Sequence, residues 1–307
     1  MDLPTIDLTQ LDNPGAHDGL ADQVRAALED VGFFAIVNHG VDWALVERVY
    51  AMAAAFHALP LDVKLARQMG EGRLGYSPIG NHARQGKVAV NEAFFMAHPK
   101  SRRTQWPPEA EAPEFRDTVS AYFETMDDLG RRLLPLYALG LGLPRDYFDA
   151  SFSPSMATLR LTRYPAVEAA VSDDDWGIDA HTDAGFLTML PANPVAGLWI
   201  CRPDGSWFEP RQEPKSFVVN SGDMIHRWSN GKLRSTTHRV KNVSGGDRYA
   251  VPFFYDPRGD TLIECLPTCA APGEAPRFEP IRYLDYINTF MAQGYDSFRK
   301  DEAAVRA

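Results

Sequence analysis

The sequence predicts a mainly β protein with flanking helices, in which a jelly-roll core follows a helical N-terminal region. Three observations predict it. Helical periodicity dominates the first half of the chain, short strand-like stretches crowd the region from about Met156 onward, and turn signals separate those stretches at close intervals. The chain has 307 residues, 45% of them hydrophobic, so it can fill the core of one large domain or two ordinary ones. We read a single unit, with the helical region over 1–150 packed on a core over 151–307. A jelly roll with helices on its outside spans this length.

Each element has its own signal. PTIDL (4–8) reads as a short strand. A helix follows near 16–31, with Ala21, Val24, Ala27 and Leu28 at helical spacing. GFFAIVNHG reads as a buried strand closed by Asn-His-Gly. WALVERVYAMAAAFHAL forms a second helix that stops at Pro60. Residues 70–107 are irregular apart from a strand at VNEAFFM. The longest helix begins at EFRDTV and ends in glycines before Pro144, with Phe115, Val119, Tyr122, Met126 and Leu129 along one face. Then come ATLRLTRYP, GFLTML, GLWICRP, SFVVNSGDMIHRWSNG, HRVKNV and RYAVPFFYDP, read as short strand stretches. Pro-Asp-Gly at 203–205, Ser-Gly-Asp at 221–223, Asn-Gly at 230–231 and Gly-Gly at 245–246 break them up. A last helix covers IRYLDYINTFMAQGY.

Composition excludes several functions. The formal net charge of −10 disfavours nucleic acid and anionic membrane as partners. No apolar run is long enough to span a membrane. The opening MDLPTIDLTQLD lacks the basic and apolar regions of a signal peptide, so a cytoplasmic location is expected. Cys201, Cys265 and Cys269 are too few for a disulfide framework and lack a zinc-ligand pattern, so they read as ordinary thiols.

HTDAGFLTML (181–190) carries the chemistry. His181 and Asp183 stand two apart at the start of a buried-looking stretch, and on an extended segment they would project to one side. A metal held there needs a third ligand, and His226 and His238 follow. His226 has no acidic residue two places on, position 228 being Trp, so it does not open a rival His-x-Asp pair; His238 opens another strand-like stretch. A His-x-Asp pair with a distant histidine is the two-histidine, one-carboxylate set of non-haem Fe(II) enzymes, which leaves positions open for a chelating anion and dioxygen. Ten residues after His238 stands Arg248, whose planar fork matches a carboxylate. Tyr164 adds a hydroxyl donor just before a strand-ending proline. His226 is read as pocket-lining, Asp223 and Asn230 as turn-fixing, and His39 as structural. Arg163 and the basic run Arg84–Lys87 are candidates to meet a substrate carboxylate.

These stretches resemble a known family. HTDAGFLTML, GDMIHRWSNGKLRSTTHRV and RYAVPFF are similar to motifs of the Fe(II)/2-oxoglutarate-dependent dioxygenases, in the isopenicillin N synthase-like branch. LPTIDL, GFFAIVNHGV, GYSP and NEAFF resemble further segments of that branch, so the likeness runs from about residue 3 to 290. It implies a distorted double-stranded β-helix holding Fe(II) on His181, Asp183 and His238. It implies 2-oxoglutarate and O₂ as co-substrates, with Arg248 pairing with the distal carboxylate and Tyr164 hydrogen-bonding to the same molecule. It implies oxygenation of a small organic metabolite, with release of succinate and CO₂. Phe94 and Phe95 lie in a segment that lines the substrate cavity of relatives. One position departs from the pattern. The family usually carries Arg-x-Ser, the serine hydroxyl assisting the arginine, whereas this chain reads Arg248-Tyr249-Ala250. That departure leaves open an iron oxidase that draws all its electrons from its substrate, and a third reading is a non-enzymatic jelly roll that binds a metal or small molecule.

Overall fold

The computed structural model describes residues 2–81, 83–84, 87–166, 177–242 and 244–295. Helix α1 (His17–Asp30) buries Leu20, Ala21, Val24, Ala27 and Leu28 on one face. Helix α2 (Trp43–His57) starts where the Asp42 side chain accepts the Ala44 N–H at 3.0 Å, and ends before Pro60. A short α3 (Leu61–Leu65) follows the proline, and the long α4 (Phe115–Gly140) packs against α1 and α2. Later come α5 (Asp223–Trp228) and α6 (Tyr283–Gly294).

The strands of the first half are β1 (Thr5–Asp7), β2 (Phe33–Val37), β3 (Tyr76–Ser77), β4 (Ala83–Arg84), β5 (Lys87–Val88) and β6 (Glu92–Ala97). Those of the second half are β7 (Thr158–Tyr164), β8 (Ile178–His181), β9 (Leu187–Pro191), β10 (Leu198–Cys201), β11 (Trp207–Phe208), β12 (Phe217–Ser221), β13 (His238–Val240), β14 (Arg248–Ala250), β15 (Phe253–Tyr255), β16 (Leu262–Ile263) and β17 (Ile281–Arg282).

Two sheets face one another. The larger runs β1-β2-β12-β9-β15-β7-β6-β3, with β14 also paired to β7; the smaller runs β11-β10-β13-β8. Strands from both halves of the chain share the larger sheet. Its outer face is covered by the helices, and one apolar cluster joins α1, α2 and α4 to β2, β7, β9, β12 and β15. Strands β2 and β12 are therefore almost wholly buried, which is why FFAIV and FVVNS read as unbroken runs.

Two local expectations change. HTDAGFLTML is not one strand: β8 ends at His181, residues 182–186 turn, and β9 begins at Leu187. MIHRW is not a strand continuing from SFVVNS, because β12 stops at Ser221 and α5 begins at Asp223. Gly222 permits that switch, since a Cβ there would lie 2.3 Å from the Gly185 carbonyl oxygen. No helix among the described residues is long and apolar enough to cross a membrane.

Candidate functional site

The turn between β8 and β9 lies between the two sheets. His181 ends β8 and pairs across the smaller sheet with His238, the first residue of β13. Their ring centroids are 4.3 Å apart. Asp183 joins them from the turn, with its Oδ1 at 3.9 Å from His181 Nε2 and 3.6 Å from His238 Nε2. Both spacings are below about 4.2 Å, twice a metal–ligand bond of about 2.1 Å. The three are the one group of metal-ligating side chains found to converge among the described residues.

Each ligand atom is aimed by its neighbours. His181 Nδ1 donates to the Asp179 carbonyl at 2.8 Å, and His238 Nδ1 donates to the Thr236 carbonyl at 3.1 Å. A carbonyl only accepts, so Nδ1 carries the hydrogen and Nε2 keeps a lone pair for a metal. Asp183 Oδ2 accepts from Thr188 Oγ1 at 2.6 Å and Asn220 Nδ2 at 2.8 Å, which turns Oδ1 toward the imidazoles. The turn is pinned from α5, whose Asp223 N–H donates to the Asp183 carbonyl at 2.8 Å.

Charge follows geometry. Burial, reinforced by His238, pushes the His181 pKa well below the ordinary histidine value, so the imidazole is neutral. Burial acts to raise the Asp183 pKa, but the two histidines and the Asn220 and Thr188 hydrogen bonds outweigh it, and the net shift is downward. Two imidazoles that each present Nε2 and one carboxylate fit Fe(II).

Beside this cluster, β14 and β7 pair so that Arg248 stands directly opposite Tyr164. Arg248 is 1% exposed, and its Nε donates to the Val195 carbonyl at 3.2 Å. Its Nη1 and Nη2 are buried with no partner in the protein. A buried guanidinium with two unused donors calls for an anion. Arg248 and Tyr164 line one cavity with His181, Asp183 and His238; its volume is about 70 Å³. A second cavity, of about 140 Å³, shares Arg160, His181, Asp183 and Phe254 with the first and is roofed by α6.

The other named residues sort by strand parity. In the β6–β7 ladder Phe95 stands opposite Arg160 and Phe94 opposite Leu161. Phe95 lines the larger cavity, whereas Phe94 is in the helical core, 4.7 Å from the Phe56 ring. Arg163, placed by sequence near substrate, is on the other face of β7, paired with Glu92 at 2.7 Å and Asp247 at 2.7 Å. His226 also lies elsewhere: its Nδ1 is 2.7 Å from the Leu233 carbonyl and its ring rests on Phe278. The side chains of the run Arg84–Lys87 lie outside the described residues.

Sequence reasoning missed Arg160, Thr188, Asn220 and Asp256. Arg160 had a signal, because 160 and 164 share a face of a strand while 163 does not. Asp256 had none. It lines the larger cavity and accepts the Phe186 N–H at 2.7 Å. Burial pushes its pKa up to about 7, with the Asp183 charge adding to the rise and hydrogen bonds from Phe186 and Tyr283 opposing it.

Fold and site together define a jelly-roll protein built to hold a metal and an adjoining carboxylate. Residues 3–114 match the family of the non-haem dioxygenase in morphine synthesis N-terminal region, and residues 156–257 match the 2OG-Fe(II) oxygenase superfamily. The 2-oxoglutarate-Fe(II) type oxidoreductase hxnY of Emericella nidulans is 32% identical, over 92% of this chain and 88% of its own. Kihadalactone A synthase of Citrus sinensis is 30% identical, over 99% and 97%. The crystal structure of a full-length Neurospora crassa protein in complex with alpha-KG superposes with a TM-score of 0.87 at 25% identity, covering 94% of this chain and 96% of that one. The chain belongs to the 2OG-Fe(II) oxygenase superfamily. It is an oxidoreductase that uses Fe(II) and 2-oxoglutarate.

Proposed function

We propose that His181, Asp183 and His238 ligate the iron, that Arg248 and Tyr164 receive the distal carboxylate of 2-oxoglutarate, and that a small organic molecule is oxidised in the larger cavity. The observation that carries this reading is the pair of buried, unpartnered Nη atoms of Arg248 in the same cavity as the converged ligand atoms. When bound, iron with 2-oxoglutarate and dioxygen supplies the oxidation, with release of succinate and CO₂. The protein's part is placement. Thr188 and Asn220 hold one oxygen of Asp183 so that the other is presented, and the Asp179 and Thr236 carbonyls fix both imidazoles in one tautomer. Arg248 supplies a two-pronged donor whose third nitrogen is anchored to Val195. Burial raises the Tyr164 pKa and keeps its phenol a neutral donor.

The larger cavity supports a substrate with an apolar body. Phe95, Phe254, Ile287, Phe290 and Met291 line it, with polar groups from Arg103, Arg160 and Asp256. The same Neurospora crassa protein is known in complex with alpha-KG and thymine, a molecule small enough for such a space.

The test is an anaerobic titration of the protein with Fe(II) and then 2-oxoglutarate, followed by visible absorption. A weak charge-transfer band that saturates at one equivalent is expected, and Arg248→Met should abolish it. Iron binding without a band would overturn the co-substrate assignment and favour the oxidase.

A further inference from the structure

The ladder that presents Arg248 has a second unusual feature. Position 250, the serine of the Arg-x-Ser pattern that the resemblance implies, is Ala250, and it stands directly opposite Thr162 on β7. Directly opposed residues of an antiparallel pair project to the same face, with Cβ atoms about 5 Å apart. Residues 162 and 164 also share a face of β7. Thr162 therefore projects to the side that carries Tyr164 and Arg248. It is fully buried, and its Oγ1 has no hydrogen-bond partner in the protein.

An unpartnered buried hydroxyl is destabilising and calls for an explanation. A threonine inside a strand has no need of its hydroxyl, since valine fills the same volume and favours strands as well. Nor is this orphan alone. Arg160 Nε, Thr162 Oγ1, Arg248 Nη1 and Arg248 Nη2 are all buried without a partner, and all belong to the facing segments β7 and β14. Arg160, Tyr164 and Arg248 line the cavity of the converged ligand atoms, and Thr162 stands between residues 160 and 164 on the same face of β7; unpaired donors on that face suit an acceptor-rich ligand.

We propose that Thr162 supplies, from across the ladder, the hydroxyl that Ala250 lacks, donating to the same carboxylate of 2-oxoglutarate that Arg248 holds. The hydroxyl has moved to the opposed residue, and the pair keeps one hydroxyl and one methyl-sized neighbour. The departure from Arg-x-Ser then leaves co-substrate binding intact. This inference rests on the proposed placement of 2-oxoglutarate at Arg248.

The experiment is a reciprocal swap. Thr162→Val, Ala250→Ser and the double variant are loaded with Fe(II) without oxygen and titrated with 2-oxoglutarate, reading the charge-transfer band for Kd. Melting temperature is recorded with and without 2-oxoglutarate. Thr162→Val should weaken binding about tenfold, the loss of one hydrogen bond to a charged group. Ala250→Ser alone should change Kd less than about threefold, yet in the Thr162→Val background it should restore most of the loss. Without 2-oxoglutarate, Thr162→Val should melt no lower than the parent, because it removes a hydroxyl that bonds to nothing in the protein. Thr162→Ser, which keeps the hydroxyl, should bind as the parent does. An unchanged Kd in Thr162→Val, or an equal effect of Ala250→Ser in both backgrounds, overturns the swap. Arg248→Met separates the two ideas. If it loses 2-oxoglutarate while Thr162→Val does not, only the swap fails. If it keeps full affinity, the placement at Arg248 fails and the swap fails with it.

Discussion

The two faces of β7 make opposite use of polar side chains. On the outer face Arg163 is bonded to Glu92 and Asp247, and Glu92 also accepts from Lys64 at 2.9 Å and Tyr76 at 2.5 Å. Every charge of that network meets its opposite within the protein. On the inner face Arg160, Thr162 and, across the ladder, Arg248 keep donors that bond to nothing in the chain. A closed network specifies structure, and an open one specifies a ligand. Identical residue types thus differ by partner: the Arg163 guanidinium is spent on Glu92 and Asp247, whereas both Nη atoms of Arg248 are left unpartnered in the protein, although both residues adjoin the same pair of strands.

The comparison can be broken by substitution, because outer-face changes should cost stability and inner-face changes should cost ligand. The largest effect is expected at the metal turn. Asp183→Ala should lower iron affinity at least about a hundredfold and reduce turnover to background, since loss of mere supporting partners already costs about 10–100-fold. Iron content after dialysis and succinate release measure it, and normal turnover would refute the ligand assignment. Next, Glu92→Gln leaves Lys64 and Arg163 without their buried anion and should destabilise by about 3–5 kcal/mol in a denaturant titration, with the 2-oxoglutarate Kd of the remaining folded protein unchanged.

The third expectation concerns pH, where the two buried carboxylates run in opposite directions. Burial acts to raise the Glu92 pKa, but its bonds to His57, Tyr76 and Lys64 outweigh burial and hold it well below the ordinary value. Its stabilisation is present above about 4.5 and is lost as pH falls. Asp256 is held up near 7, so its contribution is present below the ordinary value of 3.8 and is lost as pH rises toward 7. Asp256→Asn should therefore flatten the decline of stability between about pH 4 and 7 in thermal unfolding, and an unchanged slope would show that Asp256 is ionised throughout. The smallest effect is expected for Asn220→Ala, which leaves Thr188 as the remaining support of Asp183 Oδ2. About a tenfold loss of iron affinity with an unchanged melting temperature of the metal-free protein would place Asn220 on the ligand side of the comparison.

Much of the candidate site was legible in the linear chain. His181, Asp183 and His238 stood out by residue type and order, and Arg248 and Tyr164 by chemistry and position, because ligand chemistry is a property of the side chain itself. The order of helices and strands was legible too, since hydrophobic periodicity is local. What the chain leaves undecided is also specific. Phe94 and Phe95 are equivalent by sequence, yet one is core and the other lines the cavity. Arg163 stands out as a candidate and Arg160 does not, although 160 shares the face of Tyr164. MIHRW read as an alternating strand, but Gly222 and the close approach of the metal turn start a helix there.

The sequence by itself determined which side chains can hold metal and carboxylate, where strands and helices fall, and the period of two that ties 160, 162 and 164 to one face. Only the tertiary structure decided which face looks inward, that His181 meets His238 across a ladder, and that Ala250 meets Thr162. The physical reason is that period is set by the backbone of a single strand, whereas face and register are set by hydrogen bonds between strands far apart in the chain and by what the helices cover.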